Sequence, residues 1–301
     1  MNLTKKKPYY LSSREKRKAK WGYLFMLPWF VVFTVFYAYP LGYGIVISFS
    51  DFRMGDFNWV GFKNYLDMFK DYAFWRSFTA MLSYAALVIP MNVIIPLLIA
   101  NVIRPFKDKS AAFVKMMYYL PGVISAVSTV VAWKFIFLPN TGIIAQLVRE
   151  TYGAFTVFDN PKTAIPLMAI LIVFKGIGGN VVIYSAALNA IPDTYYEAAR
   201  LDGASRRDLL WKITAPLVQP TMVYVLVTAT IDALQIFVIP QMLTAGGPNF
   251  STSTLLMLVY QSAFINQKFG YASAVGTVLF ILIGIVAIIQ FRVTKRDTVE
   301  Y

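Results

Sequence analysis

Six runs of predominantly apolar residues take up most of this chain, and stretches of that length have few stable environments in water. They span 24–49, 78–103, 114–138, 164–187, 217–243 and 272–291. About 20 such residues in an α-helix cross the hydrocarbon core of a bilayer. The runs are continuous rather than alternating, which argues against a β-barrel. Of the 301 residues, 58% are hydrophobic and only 14% charged, against roughly 25% charged in soluble chains. The expected fold is an all-α membrane protein of six transmembrane helices occupying 24–291. Pro28, Pro40, Pro90, Pro96, Pro121 and Pro240 fall inside runs, which helical spans tolerate when neighbours satisfy the freed carbonyls. The first run is too long for the apolar core of a cleaved signal.

Lys and Arg set the expected orientation. The tail 1–23, the loop after the second run, the segment 188–216 and the tail 292–301 together carry nineteen of the 28 Lys and Arg. Seven lie in the alternate connections: Arg53, Lys63, Lys70, Arg76, Arg149, Lys162 and Lys268. The positive-inside rule then places both termini and 188–216 in the cytoplasm. The net charge of +13 is spread along membrane flanks rather than gathered as a nucleic-acid surface. With no Cys and no His, disulfides, thiolate metal sites and the commonest general base are excluded. An intramembrane enzyme would have few groups to work with. The connection 50–77 reads as an external loop with a short interfacial helix. The connections 139–163 and 244–271 read as further external loops, the second opening on the turn signal Gly246-Gly247-Pro248.

Within 188–216 the stretch EAARLDGASRRDLLWKITAP stands out as charged and hinged by glycine between two apolar runs. Asp193, after Pro192, is expected to cap a helix carrying Glu197, Ala198 and Ala199. Gly203, after Asp202, ends or bends it, because glycine tolerates positive φ. A second helix is expected from Ala204 or Ser205 to Ile213, with Pro216 at the return to the bilayer. Two short helices at an angle make a rigid knob whose small residues let a partner approach closely, and Glu197 offers a charge to that partner. The alternative is an ordinary amphipathic hairpin.

Ionisable groups inside apolar spans are costly and are candidate functional residues. Ile172, Lys175, Gly176 and Gly179 share one helix face, with Asn180 next to it. Ala229, Asp232, Ala233 and Ile236 share another, with Gln235 adjacent. Both stripes are candidates for a substrate pathway, in which Lys175 would favour an anionic sugar or a phosphate. The competing readings are close helix packing for the Gly and Ala residues, and pairing of Lys175 with Asp232 or with a partner chain. Lys134, beside Trp133, is expected to snorkel to the outer interface.

The polar stretch follows the spacing Glu-Ala-Ala, three residues, Gly203, nine residues, Ile213, one residue, Ala215, Pro216. This resembles the EAA loop of ABC importer permeases and departs from it at Ala215, where Leu is usual. Tyr23-Leu24-Phe25-Met26-Leu27-Pro28, Val60-Gly61-Phe62-Lys63-Asn64-Tyr65 and Leu243-Thr244-Ala245-Gly246-Gly247-Pro248 resemble type I carbohydrate importers. Within them the chain is most similar to the lactose, raffinose and glycerol-3-phosphate type of first permease subunit. The resemblance implies the type I importer permease fold in a bacterial cell membrane and alternating access. It also implies a heterodimer with a second homologous permease, two copies of an ABC ATPase subunit that bind ATP and Mg, and an extracytoplasmic sugar-binding protein. In the maltose-type relatives both stripes correspond to sugar-contacting faces. No G-x-x-x-x-G-K-[ST] loop occurs in the chain, so no cofactor is expected in it. The alternatives are a permease of the same kind for a polyamine, phosphate or amino acid, and an ion-coupled secondary transporter using Lys175 and Asp232.

Overall fold

The computed structural model describes residues 13–53, 56–106, 108–138, 141–144, 146 and 158–294. Lys5, Lys6, Lys7, Lys107, Arg149, Lys295 and Arg296, and most of the connection 139–163, lie outside them.

The chain is mostly helical, and among the described residues five helices are long and apolar enough to cross a membrane, or six if one bent pair is counted as a single span. The first run is a helix α1 (Ser13–Phe33), a π-helical turn (Thr34–Ala38) and α2 (Tyr39–Ile47) in continuous succession. Pro40 lacks the amide that would bond back one turn, and its ring crowds the preceding carbonyls, which places the wider turn just ahead of it. The upper part of this helix stands away from the rest, with Phe25, Trp29, Phe30 and Phe36 all exposed.

The second run becomes α4 (Tyr72–Ile103) and the fourth becomes α7 (Pro161–Asn189), and the two pack along their lengths. Asp71 caps α4 by accepting from the Ala73 amide at 2.8 Å, and Asn160 caps α7 by accepting from the Lys162 amide at 3.0 Å. Pro161 sits at the first helical position, where its missing amide costs nothing. The sixth run is α14 (Phe269–Thr294).

Two runs are interrupted. The third is α5 (Asp108–Val123) and α6 (Ala126–Ile136), bent by 91°. The fifth is α11 (Gln219–Leu234) and α12 (Val238–Leu243), with a non-helical stretch at 235–237 inside what is still one apolar span, Gln219–Leu243. Hydropathy alone cannot distinguish either interruption from continuous helix.

A small piece of β-structure accompanies the helices: β1 (Ser50–Arg53) pairs antiparallel with β2 (Asp56–Trp59), so that Ser50 faces Trp59 and Arg53 faces Asp56. Asn64 on the amphipathic α3 (Lys63–Lys70) donates to the Ser48 and Ser50 carbonyls at 2.9 and 2.8 Å, tying hairpin and helix together. The helix expected in this connection is α3. The connection 244–271 is not a simple loop either. It contains a short apolar helix α13 (Leu255–Tyr260) with Leu255, Met257 and Leu258 buried against α4 and α14.

The main core gathers Tyr84, Val88, Met168, Ala233, Leu234, Leu255 and Val275, from α4, α7, α11, α13 and α14. A second cluster, with Leu97, Tyr184, Leu188, Tyr196, Leu209 and Val225, roots the segment 188–216 onto α4, α7 and α11.

Candidate functional site

The two helix breaks lie beside one open cleft of about 680 Å³. Tyr119, Gly122, Val123 and Ala126 line it from the bent pair, Ile172, Lys175, Gly176 and Gly179 from α7, and Asp232, Ile236 and Phe237 from the interrupted helix. Six of the ten candidate pathway residues therefore meet at one surface. A broken helix exposes main-chain carbonyls and amides that need partners, and each break here has one supplied from elsewhere in the chain. The Lys175 ammonium donates to the carbonyls of Ile124 at 2.7 Å, Gly122 at 3.3 Å and Pro121 at 3.5 Å. A cation at a helix C-terminus also faces the negative end of the helix dipole. At the other break the Thr254 hydroxyl donates to the Ile236 carbonyl at 2.7 Å.

This geometry reassigns Lys175. It lines the cleft together with Asp232 but forms no ion pair with it, because its ammonium is turned to α5. The expected pairing is replaced by a staple across the 91° bend. Asp232 is exposed at the last turn of α11, and the Gln235 amide closes that turn onto the Asp232 carbonyl at 3.2 Å.

The small-residue stripe divides in two. A Cβ on Gly179 would meet nothing within 4 Å, and one on Gly176 would meet only Asn92 Oδ1 at 4.0 Å. The glycine that packs tightly is Gly178, where a Cβ would fall 2.3 Å from the Tyr118 carbonyl oxygen. Ala229 and Ala233 are buried in helix packing and do not reach the cleft. Asn180 donates to the Asn92 carbonyl at 3.3 Å, cross-linking α7 to α4. Lys134 is exposed on α6.

The segment 188–216 forms an elbow. α8 (Asp193–Leu201) ends at Gly203, whose φ is +81°. The Gly203 amide bonds to the Arg200 carbonyl at 3.1 Å and the Ala204 amide to the Ala199 carbonyl at 2.9 Å, the Schellman pattern. A new helix then starts at a capping box. The Asp208 amide bonds to Ser205 Oγ and the Ser205 amide to Asp208 Oδ2, both at 3.2 Å. Lys212 Nζ lies 2.6 Å from Asp208 Oδ1. The Lys212 ammonium first, then the Ser205 hydroxyl and amide, hold the Asp208 carboxyl down to about 2. Helical backbone runs on from α9 (Arg206–Asp208) through a π-helical turn (Leu209–Thr214) and α10 (Ala215–Leu217). The helix expected to stop at Ile213 thus carries past Pro216 and leads into α11. Glu197, Ala198, Asp202, Gly203 and Pro216 are exposed, whereas Ala199 and Ile213 are half-buried. Asp193 does not cap α8. Its carboxylate instead pairs with Arg104 Nη2 at 2.7 Å.

Three residues of consequence carry no sequence flag. Leu201 is 89% exposed, the largest value among the exposed large hydrophobics; its place on the polar side of an amphipathic helix was the available signal. Arg104 was absorbed into the count of flanking cations. Thr254 is one of several hydroxyls in an uncharged segment, and nothing local marks its partner.

Residues 65–298 match the family model described as binding-protein-dependent transport system inner membrane component. The chain is 27% identical over 280 residues to the multiple sugar-binding transport system permease protein MsmF of Streptococcus mutans serotype c, covering 92% of this chain and 96% of that one. It is 30% identical over 279 residues to the diacetylchitobiose uptake system permease protein NgcF of Streptomyces coelicolor, covering 88% and 79%. Among solved structures it is similar to a chain of a bacterial alginate ABC transporter in complex with an alginate pentasaccharide-bound periplasmic protein. There the TM-score is 0.82 at 21% identity, covering 94% of this chain and 96% of the other.

Proposed function

This chain belongs to the family of binding-protein-dependent transport system inner membrane components, and from that premise we propose that it is the multi-pass permease of an ATP-driven sugar importer. Its relatives of similar length are named for sugar and diacetylchitobiose transport. An extracytoplasmic binding protein delivers the sugar. A second homologous permease completes the pathway as a heterodimer. Two copies of an ABC ATPase bind ATP and Mg, which this chain does not. The permease domain occupies 24–291 of a bacterial cell membrane, with tails 1–23 and 292–301. The bent pair α5–α6 serves as the third of six crossings, and both termini and 188–216 face the cytoplasm, as the Lys and Arg distribution supports.

The observation that carries the proposal is the elbow. Two helix ends are locked there by a Schellman turn and a capping box, and an exposed Leu201 stands beside Glu197, Ala198 and Gly203. The small side chains of Ala198 and Gly203 let another chain's backbone approach the knob closely, and Leu201 offers it an uncovered apolar side chain. ATP-driven closure of the ATPases moves the elbow, the spans alternate between outward and inward opening, and sugar leaves through the cleft. Tyr119 and Phe237 give that cleft apolar faces for a sugar ring, and Asp232 accepts hydroxyl hydrogen bonds. Glu197, Ala198, Ala199, Asp202, Gly203, Ile213 and Pro216 serve coupling, not chemistry.

Gly203→Trp tests the coupling. It forces a bulky residue into a positive-φ position, at a cost of roughly 1–2 kcal/mol, and blocks the docking face. Membrane insertion should persist and uptake should vanish; normal uptake refutes the role. For the cargo, the co-purified complex is assayed for ligand-stimulated ATP hydrolysis over neutral, amino, acidic and phosphorylated sugars. Stimulation by a polyamine, phosphate or amino acid and by no sugar would overturn the carbohydrate assignment.

A further inference from the structure

Arg104, the first residue after α4, makes three contacts with the segment 188–216. Its Nη2 lies 2.7 Å from Asp193 Oδ1 and 3.3 Å from the Ile191 carbonyl. Its guanidinium carbon stands 3.6 Å from the centroid of the Tyr196 ring. The side chain is only 15% exposed, so it is held against the loop rather than extended into water. A stacked, forked guanidinium of this kind is a geometric constraint that a point charge cannot reproduce.

Tyr196 is the pivot. Its ring is buried under Arg104, and its hydroxyl meets Thr214 Oγ1 at 3.0 Å. Thr214 is buried in turn and donates to the Leu209 carbonyl at 2.9 Å. One side chain of α8 is thereby joined to the end of α4 on one side and to the segment leading into α11 on the other. These two helices pack on each other, and α11 carries Asp232 at the cleft.

We infer that Arg104, Tyr196 and Thr214 form a clamp that makes the elbow and the loop-side ends of α4 and α11 one rigid body, so that displacement of the elbow is transmitted to the cleft rather than absorbed in the loop. This rests on the coupling reading above, and Arg104 acts in it as a positioning residue. Besides the clamp, α8 is held by its apolar face in the second cluster and by a chain that turns at Pro192 and at Gly203, both exposed; the clamp adds directional polar links to these.

The chain has no Cys, so paired labels can be introduced at chosen sites. Spin labels are placed by Val102→Cys with Tyr195→Cys, across the clamp and away from the docking residues. A second pair, Phe57→Cys with Tyr195→Cys, reads from the hairpin to the elbow. Distances are measured in the assembled complex before and after trapping with MgATP and vanadate. The Val102–Tyr195 distance should stay fixed within about 1 Å, below the ~1–2 Å of ordinary interface helix shifts, while the Phe57–Tyr195 distance changes by more than that. Arg104→Ala should add a second, displaced Val102–Tyr195 population only after trapping, with ATP hydrolysis running without proportionate uptake. Tyr196→Phe keeps the ring and loses only the Thr214 bond. It should leave Val102–Tyr195 fixed and release a Tyr195–Tyr224 pair, both positions being exposed.

A fixed distance in Arg104→Ala after trapping overturns the clamp and leaves the coupling reading standing. A Phe57–Tyr195 distance that ignores nucleotide in the unsubstituted clamp overturns the coupling reading itself. A wild-type distribution in Arg104→Lys would reduce the contact to its charge and overturn the stacking role.

Discussion

Lys175→Met removes the ammonium shared by three carbonyls at the bend between α5 and α6 while keeping a side chain of similar length. The 2.7 Å contact to Ile124 lies in the range of charge-assisted bonds. The contacts of 3.3 and 3.5 Å are long for N–H···O geometry and weaker. A hydrogen bond to a charged group contributes about 1.5–3 kcal/mol net, and an orphaned buried carbonyl costs about as much again. The cleft is open, so water can reach the freed carbonyls and offset part of that loss. The expected destabilisation of the bend is about 2 kcal/mol, equivalent to roughly 30-fold in its opening equilibrium. Amide hydrogen exchange over 129–133, the first bonded turn of α6, reads that opening directly in the purified complex. Exchange should accelerate by about that factor in Lys175→Met and by less in Lys175→Arg, which retains donors. The reasoning fails if exchange is unchanged and the variant instead loses uptake of anionic solutes only. The ammonium would then belong to the substrate and not to the bend.

The two neighbouring glycines should part company. Gly178→Ala drives a Cβ into the Tyr118 backbone, 2.3 Å from its oxygen, and overpacking of that kind typically costs about 1–3 kcal/mol, visible as a lowered melting temperature. Gly179→Ala meets open space, so the melting temperature should hold while the cleft narrows and KM for uptake rises. At the elbow, the Asp208 carboxyl is held at about 2 against an ordinary 3.8. A depressed folded value contributes stability fully above the unfolded one and loses it as pH falls through the folded one. Protection of the Asp208 and Leu209 amides, taken relative to their intrinsic exchange rates, should therefore hold at neutral pH and drop as pH falls from about 4 through about 2. In Asp208→Asn it should be low at neutral pH, with that acid step abolished. Leu201→Glu should leave the permease inserted and folded, since the side chain touches nothing it needs, yet deplete the ATPase subunit from the co-purified complex.

What the sequence makes legible follows the range of the interactions involved. Run length and composition mark out the apolar segments, because hydropathy is a local sum. Gly203 is readable as a helix end because the positive-φ requirement belongs to one residue. The stripe at Ile172, Lys175, Gly176 and Gly179 is readable because 3.6-residue periodicity fixes a face. That Gly178 rather than Gly176 carries the packing depends on where α5 lies, and nothing near position 178 encodes it. The same limit hides the breaks at Ile124–Ser125 and 235–237. Pro121 sits near the first, but Pro90 and Pro96 pass through α4 without breaking it. Prolines alike in sequence differ in outcome because a break survives only where distant groups satisfy it.

That dependence gives the cation at the cleft a role that calls for no bound anion. Placing Lys at the centre of a bilayer costs about 2.5–3.5 kcal/mol. Leaving the end of α5 with unsatisfied carbonyls costs a comparable amount, so bending and charging the span together is far less unfavourable than either change alone. At the second break the neutral Thr254 hydroxyl donates to the Ile236 carbonyl, whereas the right-angle bend has a cation shared among three carbonyls. Lys175 and Thr254 come from different helices, α7 and the start of α13. A relative motion of those helices therefore changes both breaks together and with them the width of the cleft between Tyr119 and Phe237. The width of the proposed sugar path is thus tied to helix packing through two main-chain staples.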